Sequence, residues 1–313
     1  IAYLIHSIQG VTGGNQTLLH HANALVGLGH EVTIVTYSAP PEWMLLRARV
    51  VRVPVSMPLS AGVPAVDCVI ATYFLNAFEL ERINAPVKLY FAQGDQFIFG
   101  DTPGAAGGPG AAQVQRFREL SAASYRLPGV HVVANSKNLM RKIREQGGQT
   151  LDEIVPVCVD HAVFHPVDPP AGKVLPRILI VGPDSAGTAL EPLTFKGIDD
   201  IRKALMILAA EGERFEIVRI SNTPPEIFRD MPCEFHQAPG DDEKTHLFGT
   251  ADILVYGSHY DSCPRPPLEG MAAGSVVVCT ATDGAREYCI DGENALLVPP
   301  ARPDALAAAI RTV

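Results

Sequence analysis

Short runs of β-branched and aliphatic residues alternate along this chain with stretches whose apolar positions recur at helical spacing. Ile1–His6 reads as a strand, Gly10–Gly14 as a loop, and Gln16–Leu28 as a helix with Gly29 where a C-terminal glycine belongs. Further strands are predicted at Glu31–Thr36, Val66–Thr72, Val87–Phe91 and Val130–Ala134. The segment His165–Pro176 then carries Pro166, Pro169, Pro170 and Pro176, a composition that suits a stiff linker. Beyond it the alternation restarts. Strands are predicted at Arg177–Val181, Phe215–Ile220, Ile253–Tyr256 and Val276–Thr280, with helices over Gly197–Glu211 and from Leu268 to Ala273. Strands that alternate with helices pair in parallel through right-handed crossovers. The expected class is therefore α/β, with two Rossmann-like doubly wound parallel-sheet domains facing a cleft. The expected division is residues 1–166, a Pro-rich linker over 167–176, and residues 177–313. The Gly/Ala/Pro-rich stretch Thr102–Ala112 reads as a surface loop.

Composition supports the two-domain reading and removes some functions. The chain has 313 residues, 47% of them hydrophobic, and a single core stops growing at roughly 250–300 residues. The formal net charge is −9, without a long Lys/Arg run, so nucleic acid is not the expected partner. Cys68, Cys158, Cys233, Cys263, Cys279 and Cys289 show no C-x-x-C pair and no zinc-type spacing, which suggests free thiols in a reducing compartment. No apolar run reaches the ~18–20 residues of a spanning helix, and no signal peptide is visible. The expected location is cytoplasmic, with the inner face of a membrane as an alternative site of work. The chain opens inside a strand-like run at Ile1 and stops at a helix end at Val313, so the sequence leaves open whether its ends are trimmed.

Several residues carry chemistry. Gly13-Gly14 precede the first long helix, where paired glycines let a ligand approach backbone N–H groups at a positive helix end. A tight strand-to-helix turn would also want glycine. The dinucleotide fingerprint G-x-G-x-x-G is absent, which argues against an NAD-type oxidoreductase. Gly182 ends a strand, and Lys196-Gly197 open a helix at the expected carboxyl edge of a parallel sheet, a place suited to a phosphate. The run Y-G-S-H-Y-D-S-C-P-R-P-P-L-E places Ser258, Asp261 and Glu269 around a strand-to-helix loop. A carboxylate at a helix start is also simply stabilising. His6, His20, His21 and His30 read as structural or solvated.

From Tyr256 to Pro300 the succession resembles the donor-binding half of glycosyltransferase family 4. The matching residues are Ser258, Asp261, Glu269, Met271-Ala272-Ala273-Gly274, Val277-Val278, Gly284, Glu287 and Asp291-Gly292-Glu293-Asn294. Upstream, Lys196-Gly197, the run Val159–Pro166, Asn135-Ser136, Gly13-Gly14 and Leu28–Val32 are similar to other motifs of that family. The resemblance implies a GT-B fold and a retaining, metal-independent glycosyltransferase; no D-x-D pair occurs in the sequence. It implies a nucleotide-diphosphate sugar as donor substrate, a hydroxyl-bearing acceptor, and no cofactor or metal. Gly13, Gly14, Gly182, Lys196, Ser258, Glu269 and Glu287 are then expected to bind the donor. Lys196 neutralises the leaving diphosphate, Asp261 orients the transferred sugar, and Glu269 accepts from ribose hydroxyls. Asp95 is the candidate for orienting the acceptor. Lys196→Ala is expected to be nearly silent in folding and severe in turnover.

Departures from the family pattern accompany this likeness. Asp261 stands where a glutamate is usual, and Cys263-Pro264 replace Phe-Gly, so Pro264 offers no backbone N–H. The "Y-F-x-Q" and "P-P-L-E" variants resemble a branch of rhamnosyltransferases that use dTDP-rhamnose. A nucleotide-sugar epimerase or hydrolase on the same scaffold, or a catalytically inactive sugar-nucleotide-binding partner, would carry many of the same residues. A lipid-linked acceptor would bring the protein to a membrane surface.

Overall fold

The computed structural model describes residues 1–94, 111–168, 172, 174–183, 196–222, 224 and 228–313. Its residues form two compact units, Ile1–Val157 and Cys158–Val313.

The first unit is a six-stranded parallel sheet. Its strands are β1 (Ala2–Leu4), β2 (Thr33–Thr36), β3 (Arg49–Arg52), β4 (Cys68–Ala71), β5 (Val87–Ala92) and β6 (His131–Ala134), in the order β3-β2-β1-β4-β5-β6. Its helices are α1 (Gly13–Gly27), the short α2 (Phe74–Ala77), α3 (Ala111–Ser124) and α4 (Lys137–Glu145). Alternate residues of β1 go to opposite faces: Ala2 and Leu4 join one buried cluster, Tyr3 and Ile5 the other. Helices therefore cover both faces, which is why these strands read as near-continuous apolar runs. Ser136 caps α4 by accepting from the Leu139 N–H at 3.1 Å.

The second unit repeats this plan. β7 (Arg177–Val181), β8 (Glu216–Ser221), β9 (Glu234–Gln237), β10 (Ile253–Tyr256), β11 (Val276–Thr280) and β12 (Leu296–Val298) form a parallel sheet in the order β12-β11-β10-β7-β8-β9. Counted from its own first strand, that is the same order as in the first unit. α5 (Ile198–Ala210) and α8 (Pro303–Arg311) cover one face, with Ile178 and Ile180 beneath them. α6 (Asp241–Gly249) and α7 (Arg265–Ala273) cover the other, over Leu179 and Leu254. In each unit the strand order reverses once, between β1 and β4 and between β7 and β10. Ligands of open α/β sheets bind at the carboxyl ends of the strands beside such a reversal.

Several sequence expectations are corrected. Residues 158–166, assigned above to the N-terminal domain, pack with the second unit. Phe164 lies edge-to-face on Phe248 with ring centroids 4.9 Å apart, and Thr245 donates to the Val163 carbonyl at 2.8 Å. In the linker, Pro169 and Pro170 lie outside the described residues, as does the Thr102–Ala112 stretch up to residue 110; Ala111 and Ala112 begin α3. α1 starts at Gly13 rather than Gln16, because Thr12 caps it by accepting from the Asn15 N–H at 3.2 Å. Among the described residues no helix is long and apolar enough to cross a membrane.

The edge strand β9 carries a polar cluster. His236 sits between Glu234, 2.8 Å from Nε2, and Glu243 of α6, 2.5 Å from Nδ1. Burial would lower the histidine's pKa, but hydrogen bonds and charge from both carboxylates raise it above its ordinary value. For a raised histidine the stabilisation is complete below the unfolded value near 6.5 and is lost as pH rises through the folded value. The carboxylates are about half exposed, so the gain is below about 1 kcal/mol. Urea unfolding of wild type and His236→Gln should therefore differ most near pH 5.5 and converge by pH 9; a difference that grows with pH would contradict this placement.

Candidate functional site

The sequence-expected residues of the second unit gather at the carboxyl edge of its sheet, around the reversal between β7 and β10. β7 ends at Val181, and Gly182 follows with φ of 137°, a conformation that favours glycine. Lys196 precedes α5, and Gly197 caps that helix in the left-handed region at φ 63°. A Cβ on Gly197 would lie 1.9 Å from the carbonyl oxygen of Gly257, the first residue after β10. A Cβ on Gly257 would in turn lie 2.8 Å from Ile201 and 2.9 Å from the Gly197 carbonyl. Two chain segments far apart in sequence thus meet backbone to backbone.

That contact places Lys196 against the loop after β10. Its Nζ lies 2.8 Å from Asp261 Oδ2 and 3.5 Å from the Tyr256 hydroxyl. Tyr256 also donates to Asp261 Oδ2 at 2.5 Å, and the Cys263 N–H donates to Oδ1 at 3.2 Å. Burial would raise the pKa of Asp261. The charge of Lys196 outweighs it, together with hydrogen bonds from Lys196, Tyr256 and the Cys263 amide, and the pKa lies below the usual aspartate value. Tyr256 moves well above its ordinary value through burial and the neighbouring carboxylate, so it remains a neutral donor. A second tether runs from His259 Nε2 to Asp200 Oδ2 in the first turn of α5, at 2.5 Å.

Asp261 and Glu269 occupy different environments. The sequence suggests that a helix begins near Leu268, but α7 begins at Arg265, because prolines are compatible with the first turn, where an N–H has no intrahelical partner. Glu269 therefore lies in the second turn, buried at 6% exposure, and the stabilising role of a carboxylate at a helix start does not apply to it. Arg265 contacts its Oε1 through both Nε and Nη2 at 3.1 Å. Burial raises the pKa of Glu269, although the charges of Arg265 and Lys244 and the Arg265 hydrogen bond act to lower it.

The remaining sequence candidates fall as follows. Ser258 is fully buried and donates to the Tyr260 carbonyl at 2.6 Å, while its own carbonyl accepts from Thr280. Gly284 presses its backbone on residues 261–262: a Cβ there would lie 2.4 Å from the Ser262 carbonyl carbon. Glu287, exposed, follows in the same short turn. Gly13 and Gly14 belong to the first unit, in the first turn of α1, with the Gln93 side chain 3.6 Å from where a Gly14 Cβ would stand. Asp95 lies outside the described residues.

Sequence reasoning missed Tyr256, His259, Asp200, Arg265 and Arg219. Arg219 of β8 is completely buried and donates to the carbonyls of Ile180 at 3.3 Å and Gly182 at 3.0 Å. Its guanidinium stacks 5.1 Å from the Phe228 ring centroid, so a buried cation shapes the end of β7. An arginine inside an apolar strand, I-V-R-I, was the available signal. A cavity of about 490 Å³ lined by Pro176, Leu208, Phe215, Ile253 and Ile310 lies at the opposite, amino-terminal edge of the strands, away from Lys196.

Removing the glycine contact tests this construction. Gly197→Ala should destabilise the second unit by at least about 2 kcal/mol, combining left-handed strain with the clash on Gly257. Gly212→Ala, also at positive φ but with no atom within 4 Å of the new Cβ, should cost only about 1 kcal/mol. Equal losses in chemical denaturation would show that the Gly197–Gly257 approach is not a constraint.

Residues 232–313 match the family model described as glycosyl transferases group 1. No curated protein matches the sequence. Among solved structures, sucrose-phosphate synthase from Thermosynechococcus elongatus superposes with a TM-score of 0.77 at 19% identity, covering 100% of this chain and 88% of that one. HepE from Anabaena, solved with UDP and glucose, gives 0.74 at 15% identity over 99% of this chain and 88% of its own. A glycosyltransferase from Rickettsia africae gives 0.65 at 16% identity, covering 99% and 86%. With two Rossmann-like units of the same strand order, the chain has the GT-B fold, and its residues 232–313 are similar to the group 1 glycosyl transferases.

Proposed function

We propose that this chain is a glycosyltransferase that moves a sugar from a nucleotide-diphosphate donor to a hydroxyl acceptor, with retention and without a metal ion, in glycan or natural-product biosynthesis. The observation that carries the reading is the Lys196–Asp261 pair at the β7/β10 reversal, one helix turn and a short loop from the buried Glu269. The family match over residues 232–313, which include Asp261 and Glu269 but not Lys196, and the UDP-bound HepE neighbour support a sugar nucleotide as the ligand.

In this reading Lys196, whose charge is steered by Asp261, meets the diphosphate as negative charge grows on the departing oxygen. A preorganised donor of this kind contributes about 10²–10³ in rate. Glu269 accepts from the ribose hydroxyls. Asp261 serves poorly as a nucleophile, since Oδ2 already accepts from Lys196 and Tyr256, Oδ1 accepts from Cys263, and the group is weakly basic. That favours departure and attack on one face of the sugar over a covalent glycosyl intermediate. The absence of D-x-D accords with charge neutralisation by side chains. The Y-F-x-Q and P-P-L-E variants make dTDP-rhamnose the first donor to try. Asp95 remains the candidate for orienting the acceptor.

A thermal-shift series with UDP-, GDP- and dTDP-sugars tests the reading, because a ligand at 100 times its Kd stabilises by about 2.7 kcal/mol. At least one series should raise the Tm; no shift with any would overturn the proposal. Lys196→Ala should lower turnover about 10²–10³-fold. The structure revises the expectation that this variant folds normally. Both partners are mostly buried, at 25% and 16% side-chain exposure, and a carboxylate left without its cation costs stability. The loss should be about 1–3 kcal/mol, and undiminished turnover would contradict the role. Free sugar or an epimer formed without acceptor would favour the hydrolase or epimerase reading.

A further inference from the structure

The head of α7 is short of backbone donors. Pro264, Pro266 and Pro267 have no N–H, so among residues 264–267 only Arg265 supplies one. A cation in the first turn, four residues before a carboxylate, is also the wrong order for the helix dipole. Helix stability therefore does not account for Arg265 and Glu269.

Their burial sharpens the point. The other i,i+4 ion pairs on described helices are solvated: Arg141–Glu145 has 54% and 50% side-chain exposure and Lys203–Asp199 has 52% and 48%, against 13% and 8% for Arg265–Glu269. A buried pair of this kind loses much of its attraction to desolvation. The contact is also lopsided. Nε and Nη2 both lie on Oε1, while Oε2 accepts no hydrogen bond from the described residues. Oε2 is not sealed from solvent, so beside the anchored Oε1 it is open to a donor that a ligand supplies.

We infer that Arg265 is a positioning residue for donor binding: it anchors Glu269 through Oε1, favours its anionic form, and leaves Oε2 presented to the donor's ribose. This rests on the reading of the site as a nucleotide-sugar site. α7 packs on α6, β10 and β11. From α6 the charge of Lys244 reaches Glu269; the strands bring Tyr256 and Cys279, both held neutral by raised pKa values. Arg265 is thus the nearest of the two cations that oppose the effect of burial.

The test measures the affinity of the wild type and of Arg265→Gln, Arg265→Lys, Glu269→Gln and the double variant Arg265→Gln/Glu269→Gln from pH 5 to 9. The probe is whichever of UDP-glucose, GDP-glucose and dTDP-rhamnose binds the wild type tightest. Without the guanidinium, the acid limb of binding should move up by about one pH unit or more. The loss in Arg265→Gln should then reach about tenfold near the limb and shrink as pH rises, with Arg265→Lys restoring part of it. In the Glu269→Gln background Arg265→Gln should add nothing. Carboxyl ¹³C NMR on the ligand-free protein, assigned by difference from Glu269→Gln, should show Glu269 titrating higher in Arg265→Gln. A loss that is uniform across pH, an additive double variant, or an unmoved carboxyl titration in a wild type that binds the probe would overturn the role of Arg265. A wild type that binds none of the three probes would instead overturn the functional reading on which it rests.

Discussion

The contact between Gly197 and Gly257 is the constraint on which the site depends. With only 1.9 Å between a notional Gly197 Cβ and the Gly257 carbonyl oxygen, no other residue can occupy that position without moving the start of α5 or the end of β10. Because both segments stay where they are, Lys196 emerges beside Asp261, and Asp200 meets His259 from the same helix turn. A second close approach, Gly284 on residues 261–262, closes the loop from the other side. The charged groups are held by backbone geometry on two sides before any ligand arrives, the arrangement that lets electrostatic stabilisation act without reorganisation.

Two carboxylates within one loop-helix unit have been given opposite characters. Asp261 is tied down by three donors and held below the usual aspartate pKa, so it works by steering Lys196. Glu269 is buried with one oxygen anchored and its proton affinity raised, so its ionisation depends on the cations around it. The shorter aspartate side chain is compatible with this division because Tyr256, from the last position of β10, reaches Oδ2 and helps fix it. Burial acts on both carboxylates in the same direction, and the partners decide the outcome.

The parts of the fold legible in the sequence are those buried on two faces. Arg177–Val181, Ile253–Tyr256 and Val276–Thr280 are apolar except for Arg177 and Thr280 at their ends, and were located to the residue. The edge strands β3 (R-V-V-R), β9 (E-F-H-Q) and β12 (L-L-V) were missed: β3 and β9 carry charge or polarity that hides their pattern, and β12 is only three residues long. The start of α7 was placed late because prolines read as loop, although the first turn of a helix accepts them. Lys196, Asp261 and Glu269 could be named individually from residue type and resemblance. That Lys196 touches a residue 65 positions away follows only from the crossed strand order, and Arg265 and Arg219 gave no signal beyond being charged in apolar company.

The most direct test of the central claim, that this constellation is the donor site, is an amide-resolved ¹H–¹⁵N NMR titration of the whole chain with UDP, GDP and dTDP in turn. The account predicts that the binding nucleotide perturbs Gly182, Lys196–Asp200 and residues 257–265, with Glu269 and the 284–288 turn following. Perturbations confined to the opposite sheet edge, around Pro176, Phe215 and Ile253, would contradict it.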